Sequence, residues 1–433
     1  MTPGARIASA IEVLGEIFSR RRPASDVLKD WGHAHRFAGS GDRAAIAGLV
    51  YDALRRRVSS AWLMGDEAPR AVMLGMLKLE RGLDQEAIAK LFDGSKYAPA
   101  QLSDVELAKF TSGSIDDAPM HVAGDYPDWL DPYFTEVFGD ERVEEGEALA
   151  SRAPLDLRVN ALKGEKEKAA EMLADLSPEP TRWSPWGLRI ALTAESKSPA
   201  VHAEPAFIKG LIEIQDEGSQ LAALLAGAKP GEQVVDLCAG GGGKTLALAA
   251  AMQNKGQIYA TDDDKRRLAP IHERLERAGA RNVQVRTPRG GSDVLADLAG
   301  RVDLVLIDAP CTGIGTWRRN PDAKLRLRPG ALAERQKEQV EVLDRAVALV
   351  KPGGRVVYVT CSLLNEENGA QVRAFTARHP EFSVEKPAGI ADGLGERAYL
   401  FKRAMLMTDE GLLMTPRRTD TDGFFVSVMN RTR

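Results

Sequence analysis

The sequence predicts an α/β protein: a doubly wound parallel-sheet domain over residues 211–433, a small α+β segment over 121–210, and an all-helical segment over 1–120. Three observations carry this reading. From Leu211 onward, short apolar strand-like runs alternate with helical stretches, the pattern of a parallel sheet covered by helices. The first hundred residues show helical spacing alone. The 433 residues are enough for two or three domains at roughly 150 each. Their 44% hydrophobic and 28% charged content is that of a globular chain, which excludes disorder.

In chain order, Ile7, Ile11, Leu14 and Ile17 recur at helical spacing behind a Thr2-Pro3 start, and Ile46, Leu49, Val50 and Leu54 do the same. The polar stretch Thr111–Ala118 reads as a boundary. Leu157-Arg158-Val159 alternates like a strand, and Glu165–Leu176 reads as a helix. Strands of the doubly wound domain are expected at Gln233–Leu237, Gln257–Thr261, Val283–Arg286, Asp303–Ile307, Arg355–Thr360 and Phe424–Met429. Helices are expected at Lys244–Met252, Lys265–Ala278 and Ala331–Val350. No internal repeat or low-complexity tract interrupts this series.

The 58 Lys and Arg against 62 Asp and Glu give a net charge of −4. That average hides an uneven distribution, because residues 101–150 alone carry −11 and the remainder +7. The acidic block, from Asp104 to Glu147, reads as a solvated connector. No apolar run approaches the roughly 18 residues of a membrane helix. Glu12 and Glu16 break the N-terminal apolar stretch and argue against a signal peptide. Three cysteines are too few for a disulfide framework and fit a reducing cytoplasm. A cytoplasmic, membrane-free monomer is expected.

Cys238, Cys311 and Cys361 each follow an expected strand, at the sheet edge where open α/β folds bind ligands. Their spacing fits no zinc motif, so no metal is assigned. Between the first strand and its helix, Cys238-Ala239-Gly240-Gly241-Gly242-Gly243-Lys244-Thr245 lets backbone approach a ligand closely at a helix N-terminus. Gly243-Lys244-Thr245 matches the end of a phosphate loop, but that motif requires a glycine where Cys238 stands. Asp262 closes the second strand where a ribose-binding carboxylate belongs, which points to a dinucleotide or S-adenosylmethionine. Asp308 and Cys311 flank Ala309-Pro310 after the fourth strand, a carboxylate and a thiol suited to acid–base or nucleophilic work. The run from Thr316 to Arg328 sets Trp317 among Arg318, Arg319 and Lys324, a composition suited to stacked bases and phosphates.

The set Asp236–Thr245, Asp262, Asp308-Ala309-Pro310-Cys311, Arg318–Asp322 and Thr360-Cys361-Ser362 with Asn365–Asn368 resembles the RNA cytosine-5 methyltransferases of the Sun/Fmu/Nop2 type. Leu157–Asn160, Gln215–Ser219 and Thr421–Phe425 match as well, so the resemblance spans about residues 126–433. It implies a class I S-adenosylmethionine methyltransferase, Rossmann-like, with the 121–210 segment resembling an RRM and residues 1–120 loosely resembling a NusB-like RNA-binding domain. It implies Cys361 as the nucleophile, Cys311 in product release, and Asp308 between cofactor and base. Cys238 to Lys244, Asp262, Arg267 and Asp308 would line the cofactor site, and Arg318, Arg319 and Lys324 would meet RNA. The expected reaction is methylation of cytosine carbon 5, in 16S ribosomal RNA first and in tRNA as the alternative. A P-loop nucleotide hydrolase and a catalytically weak RNA-binding assembly factor are the rivals from other classes. Two departures stand out: Gly241 replaces the family's proline, and no acidic residue follows the third strand until Asp293.

Overall fold

The computed structural model describes residues 1–192, 199–288, 290 and 293–432. They form two compact units, and the chain crosses between them more than once.

The first unit comprises residues 1–153 and the later segment Thr316–Arg328. Seven helices build most of it: α1 (Pro3–Arg20), α2 (Ala24–Ala34), α3 (Ser40–Arg55), α4 (Arg57–Met64), α5 (Pro69–Leu79), α6 (Gln85–Leu91) and α7 (Asp104–Ser112). Thr2 caps α1 by accepting from Ala5 N at 3.2 Å, and Pro3 occupies a first-turn position that needs no donor. Ile7, Leu14 and Ile17, together with Ile46, Val50 and Leu54, form one buried core, as their spacing predicts. Ile11 and Leu49 lie at its margin, partly buried.

The polar stretch Thr111–Ala118 does not separate compact units, because side chains from the helices hold both of its flanks. Lys78 Nζ donates to the carbonyls of Phe110 (2.6 Å) and Gly113 (2.8 Å). Beyond it, Asp125 is fully buried and accepts from the Val58 and Ser59 amides, both at 3.0 Å, and from the Ser59 hydroxyl. These are the donors that the first turn of α4 leaves unpaired. The acidic block is thus not a uniformly solvated connector, since Asp125 and Glu145 are core residues of this unit.

The second unit holds two sheets. The smaller is antiparallel, in the order β2-β3-β1-β4, from β1 (Leu155–Val159), β2 (Glu179–Pro180), β3 (Gly187–Ile190) and β4 (Ile212–Ile214). The larger contains β5 (Gln233–Asp236), β6 (Gln257–Ala260), β7 (Val283–Val285), β8 (Val302–Asp308), β9 (Val350–Thr360), β10 (Phe382–Val384), β11 (Leu406–Met407), β12 (Leu412–Met414) and β13 (Phe424–Arg431). Its order is β11-β12-β13-β9-β8-β5-β6-β7, with β10 also on β13. Strands β5 to β9 pair parallel, whereas β13 runs antiparallel to β9. Leu304 to Ile307 of β8 are all fully buried, which is why this stretch reads as continuous apolar sequence. The chain leaves β5 toward β6 on one side and later returns to β8 on the other. Such a reversal opens a crevice at the carboxyl ends of the strands.

All six expected strands of this sheet are present. The expected helix Lys265–Ala278 is instead two, Lys265–Leu268 and Ile271–Ala278, because Pro270 lacks the amide that a continuous helix needs. The Glu165–Leu176 helix is α-helical only over Lys166–Met172 and ends in a 3-10 turn. Asn365–Glu367 likewise forms a 3-10 turn before the helix Gly369–Arg378. Among the described residues, no helix is long and apolar enough to cross a membrane, and no His, Cys, Asp and Glu cluster could hold a metal ion.

Candidate active site

The crevice is built on the ends of β5, β6, β8 and β9. The loop after β5 reverses sharply, with Gly240 at φ 50° and Gly242 at φ 82°. A Cβ on Gly242 would stand 2.5 Å from Ile271 Cγ1, so glycine is required there by both conformation and space. Asp262, at the end of β6, is 3% exposed and accepts from Gly240 N and Asp264 N, both at 2.9 Å. A carboxylate has about four acceptor positions, so these two bonds leave capacity for ribose hydroxyls. Arg267 lies 3.9 Å from the same carboxylate and is mostly exposed.

Gly241 carries no proline ring, yet its carbonyl is held. Arg274 Nη1 donates to it at 2.7 Å, and Arg274 is itself fixed by Glu213 of β4 at 3.0 Å. Arg277 binds the other oxygen of this buried Glu213 at 2.6 Å. An ion pair thus does part of what a ring would do in ordering the loop. Arg274→Ala is expected to raise the dissociation constant for the loop's ligand roughly tenfold, the worth of one charge-assisted hydrogen bond. Calorimetric titration checks this, and an unchanged constant would show the loop to be ordered without the arginine.

Lys244 and Thr245 are not arranged as in a phosphate loop. Lys244 Nζ donates to Asp308 Oδ2 at 2.7 Å and lies 5.0 Å from the centre of the Phe424 ring. Thr245 Oγ1 donates to Asp236 Oδ2 at 2.6 Å. Burial, reinforced by Asp308 and Asp262, pushes the Asp236 carboxyl up to about 7. The native chain therefore keeps a proton that the unfolded chain releases. This stabilisation is full below the ordinary value of 3.8 and is lost as pH rises through about 7. The melting temperature of the wild type minus that of Asp236→Asn should fall across this window and level off above it. A difference independent of pH would exclude a protonated Asp236.

Cys238 is held as a thiol: burial first, then the charges of Asp308, Asp236, Asp262 and Asp263, all push its pKa up. It is a loop residue, distinct from the other two cysteines. Cys311 and Cys361 are brought together from β8 and β9, with their sulfurs 3.4 Å apart. The hydrogen bond to Cys361, then burial, then the Cys361 and Glu367 charges, raise the Cys311 pKa well above its ordinary value. Either sulfur can donate in this contact.

Glu367, within the Asn365–Asn368 motif, has a structural task. Fully buried, it accepts from Thr312 N at 2.8 Å, Thr312 Oγ1, and Gln339 Nε2 at 3.0 Å, while Gln339 also holds Pro310 O at 2.9 Å. Its carboxyl clamps the turn that carries Cys311. On the other side, Gly315 N donates to Cys361 O at 2.9 Å, and Gly423 N to Gly315 O at 2.8 Å. A Cβ on Gly315 would meet Gly423 O at 2.4 Å, so the closing Thr421–Phe425 motif packs directly beneath the cysteine turn. No sequence spacing could have paired Glu367 with Thr312, or Arg274 with Gly241; each contact exists only in the folded chain.

The residues expected to meet RNA sit in a different setting from the surface loop their composition suggests. Trp317, Arg318 and Lys324 are buried in the first unit, and Arg55 donates to the Arg318 carbonyl at 3.1 Å. A buried indole offers no face to a base, and a buried guanidinium is no surface contact for phosphate. Arg319 is partly exposed. After β7, Arg286 pairs with Asp297 at 3.0 Å, and Asp293 caps Leu295 N at 3.0 Å. Arg289 and Gly291, part of the turn noted for lacking an acid, lie outside the described residues.

Comparison with known proteins agrees with this geometry. Residues 222–430 match the family described as 16S rRNA methyltransferase RsmB/F. A Synechocystis protein named "Probable ribosomal RNA small subunit methyltransferase B" is 30% identical over 448 residues, covering 95% of this chain and 96% of that one. The crystal structure of PH0851 superposes with a TM-score of 0.72 at 27% identity, over 99% of both chains. NSun6 from Pyrococcus horikoshii, solved with the S-adenosylmethionine analogue SFG, shares the fold at 21% identity and a TM-score of 0.59, over 71% of this chain and 98% of that one. With a glycine loop tied to a buried acid at the end of β6, and a relative matching along nearly its whole length, the chain belongs to the RsmB/F family of S-adenosylmethionine-dependent RNA methyltransferases.

Proposed function

We propose that this enzyme methylates carbon 5 of cytosine in small-subunit ribosomal RNA, through a covalent bond between Cys361 and the base. The observation that carries the reading is the 3.4 Å approach of two free thiols at the ligand edge of the sheet. The cysteine interaction and burial raise the Cys311 pKa. Cys361 is assigned the nucleophilic sulfur on the family resemblance of its Thr360-Cys361-Ser362 turn.

Carbon 5 of cytosine is a weak nucleophile. Addition of the Cys361 thiolate to carbon 6 moves the ring π pair toward carbon 5 and makes it an enamine-like nucleophile. The bound cofactor supplies the electrophilic methyl group. Loss of the carbon 5 proton then restores the ring double bond and expels the Cys361 thiolate. Cys311 suits this last step: once Cys361 is bonded to the base, the interaction that most raises the Cys311 pKa is gone, Cys311 releases its own proton to solvent, and its thiolate accepts the carbon 5 proton. Asp308, anchored by Lys244, stands beside the cofactor loop and is one-third exposed toward the crevice. Lys244 and Thr245 are both committed to carboxylates, which speaks against the nucleotide hydrolase reading.

The direct test is bisulfite sequencing of total RNA from a deletion strain, with and without the restored gene. Loss of one protected cytosine in small-subunit ribosomal RNA is expected. Loss in a tRNA instead would favour the tRNA alternative, and no change in any RNA would refute the carbon 5 assignment. Extruding the target base costs roughly a few kcal/mol, so a locally opened strand is the expected substrate. The helical unit, with its NusB-like resemblance, is proposed as an RNA-engaging module.

A further inference from the structure

We propose that a small basic pocket inside the helical unit is a phosphate subsite for the RNA backbone, a proposal that rests on the assignment of RNA as substrate. The pocket has a volume of about 200 Å³. Its walls include Phe18 and Arg21 at the end of α1, Arg57 at the start of α4, Pro127, and Lys324 and Leu325 of the segment Thr316–Arg328. Arg21, Arg57 and Lys324 are cations, and no carboxylate lines the space.

Each cation has donors left over. Lys324 is 8% exposed, and its Nζ donates to Arg55 O at 3.2 Å and Asp125 O at 2.8 Å. An ammonium has three N–H groups, so one remains. Burial, joined by Arg56 and Arg55, pushes the Lys324 pKa down to about 8 against the pull of Asp125. Arg57 meets Glu67 at 2.8 Å through Nη2, but its Nε is buried and has no partner among the described residues. Arg21 ends α1 in a left-handed conformation, φ 50°, which projects an exposed side chain with no ion pair among the described residues.

Three cations around one small space repel one another, and an anion between them relieves that repulsion. The size and chemistry select the anion. The pocket lies below the roughly 300 Å³ at which sites begin to hold drug-sized molecules. Its one aromatic face is taken, because the Arg57 guanidinium lies 5.3 Å from the centre of the Phe18 ring. A stacked base is therefore excluded, and a phosphodiester group fits. Such a contact positions RNA without reading its sequence. It also explains the basic character of the segment after the Pro310-Cys311 turn: Lys324 serves a pocket wall and not a surface loop.

The test is fluorescence anisotropy with a labelled single-stranded RNA oligonucleotide over a salt series. Wild type is compared with Arg21→Ala, Arg57→Ala, their combination, and Lys29→Ala as a baseline for losing an exposed cation of the same unit. Unchanged S-adenosylmethionine affinity reports an intact fold. Each pocket variant is expected to weaken RNA binding roughly tenfold and to lower the slope of log K against log salt by about 0.7 in magnitude. The combined loss should be smaller than the sum, since both arginines hold one phosphate. Pocket variants that behave like Lys29→Ala while wild type binds RNA would overturn the subsite alone. A wild type that fails to bind RNA would overturn the substrate assignment as well. Inorganic phosphate binding that vanishes in the combined variant without any change in RNA slope would assign the pocket to the free ion and refute the backbone role.

Discussion

Cys361→Ala is expected to lower methyl transfer by roughly 10⁴-fold or more, to background, while leaving the fold and S-adenosylmethionine affinity intact. On the proposed mechanism, the Cys361 sulfur is the atom that activates carbon 5. Cys238 is a half-buried loop thiol whose ionisation is opposed by desolvation and four carboxylates. Cys311, whose pKa is raised by its contact with Cys361 and by burial, is proposed to act in product release. The side chain of Cys361 packs only partly against the core, so its truncation leaves little cavity. Transfer of labelled methyl groups to RNA measures the effect. Activity within tenfold of wild type would move the nucleophile elsewhere.

Cys311→Ala is expected to act at the opposite end of the reaction. Addition and methyl transfer proceed, the carbon 5 proton is not removed, and protein stays bonded to RNA through Cys361. The adduct should survive denaturing electrophoresis as a slower band that carries label from both RNA and methyl group. The combined Cys311→Ala/Cys361→Ala variant must lose the band, since it lacks the bonded sulfur. An adduct formed by Cys361→Ala alone would exchange the two roles. The turn that carries Cys311 is clamped by Glu367 through Thr312 and Gln339, so removing the thiol leaves the backbone in place.

Much of this was legible in the residues. The parallel strands are continuous apolar runs because helices cover both of their faces, and their cysteines and acids fall at the ends because each strand stops there. The cofactor loop and Asp262 lie 22 residues apart along the chain and meet at 2.9 Å. A single βαβ unit brings them together, so local pattern suffices. What the structure places differently was judged on composition alone. Trp317, Arg318 and Lys324 have the make-up of a surface RNA loop, yet the folded chain buries them in the helical unit. Asp125 belongs to a block that reads as solvated, and it is the buried partner of the α4 amides.

The sequence by itself determined the fold class and the cofactor type and pointed to the two cysteines proposed to react, because strand periodicity and short motifs are encoded within tens of residues. The tertiary structure alone decided which groups act on which: the Cys311–Cys361 bond, the Glu367 clamp, the hold of Arg274 on Gly241 and the three-cation pocket. Those contacts join residues distant in the chain, and their energies depend on burial and on where neighbouring charges fall. Neither quantity exists until the core has closed around them.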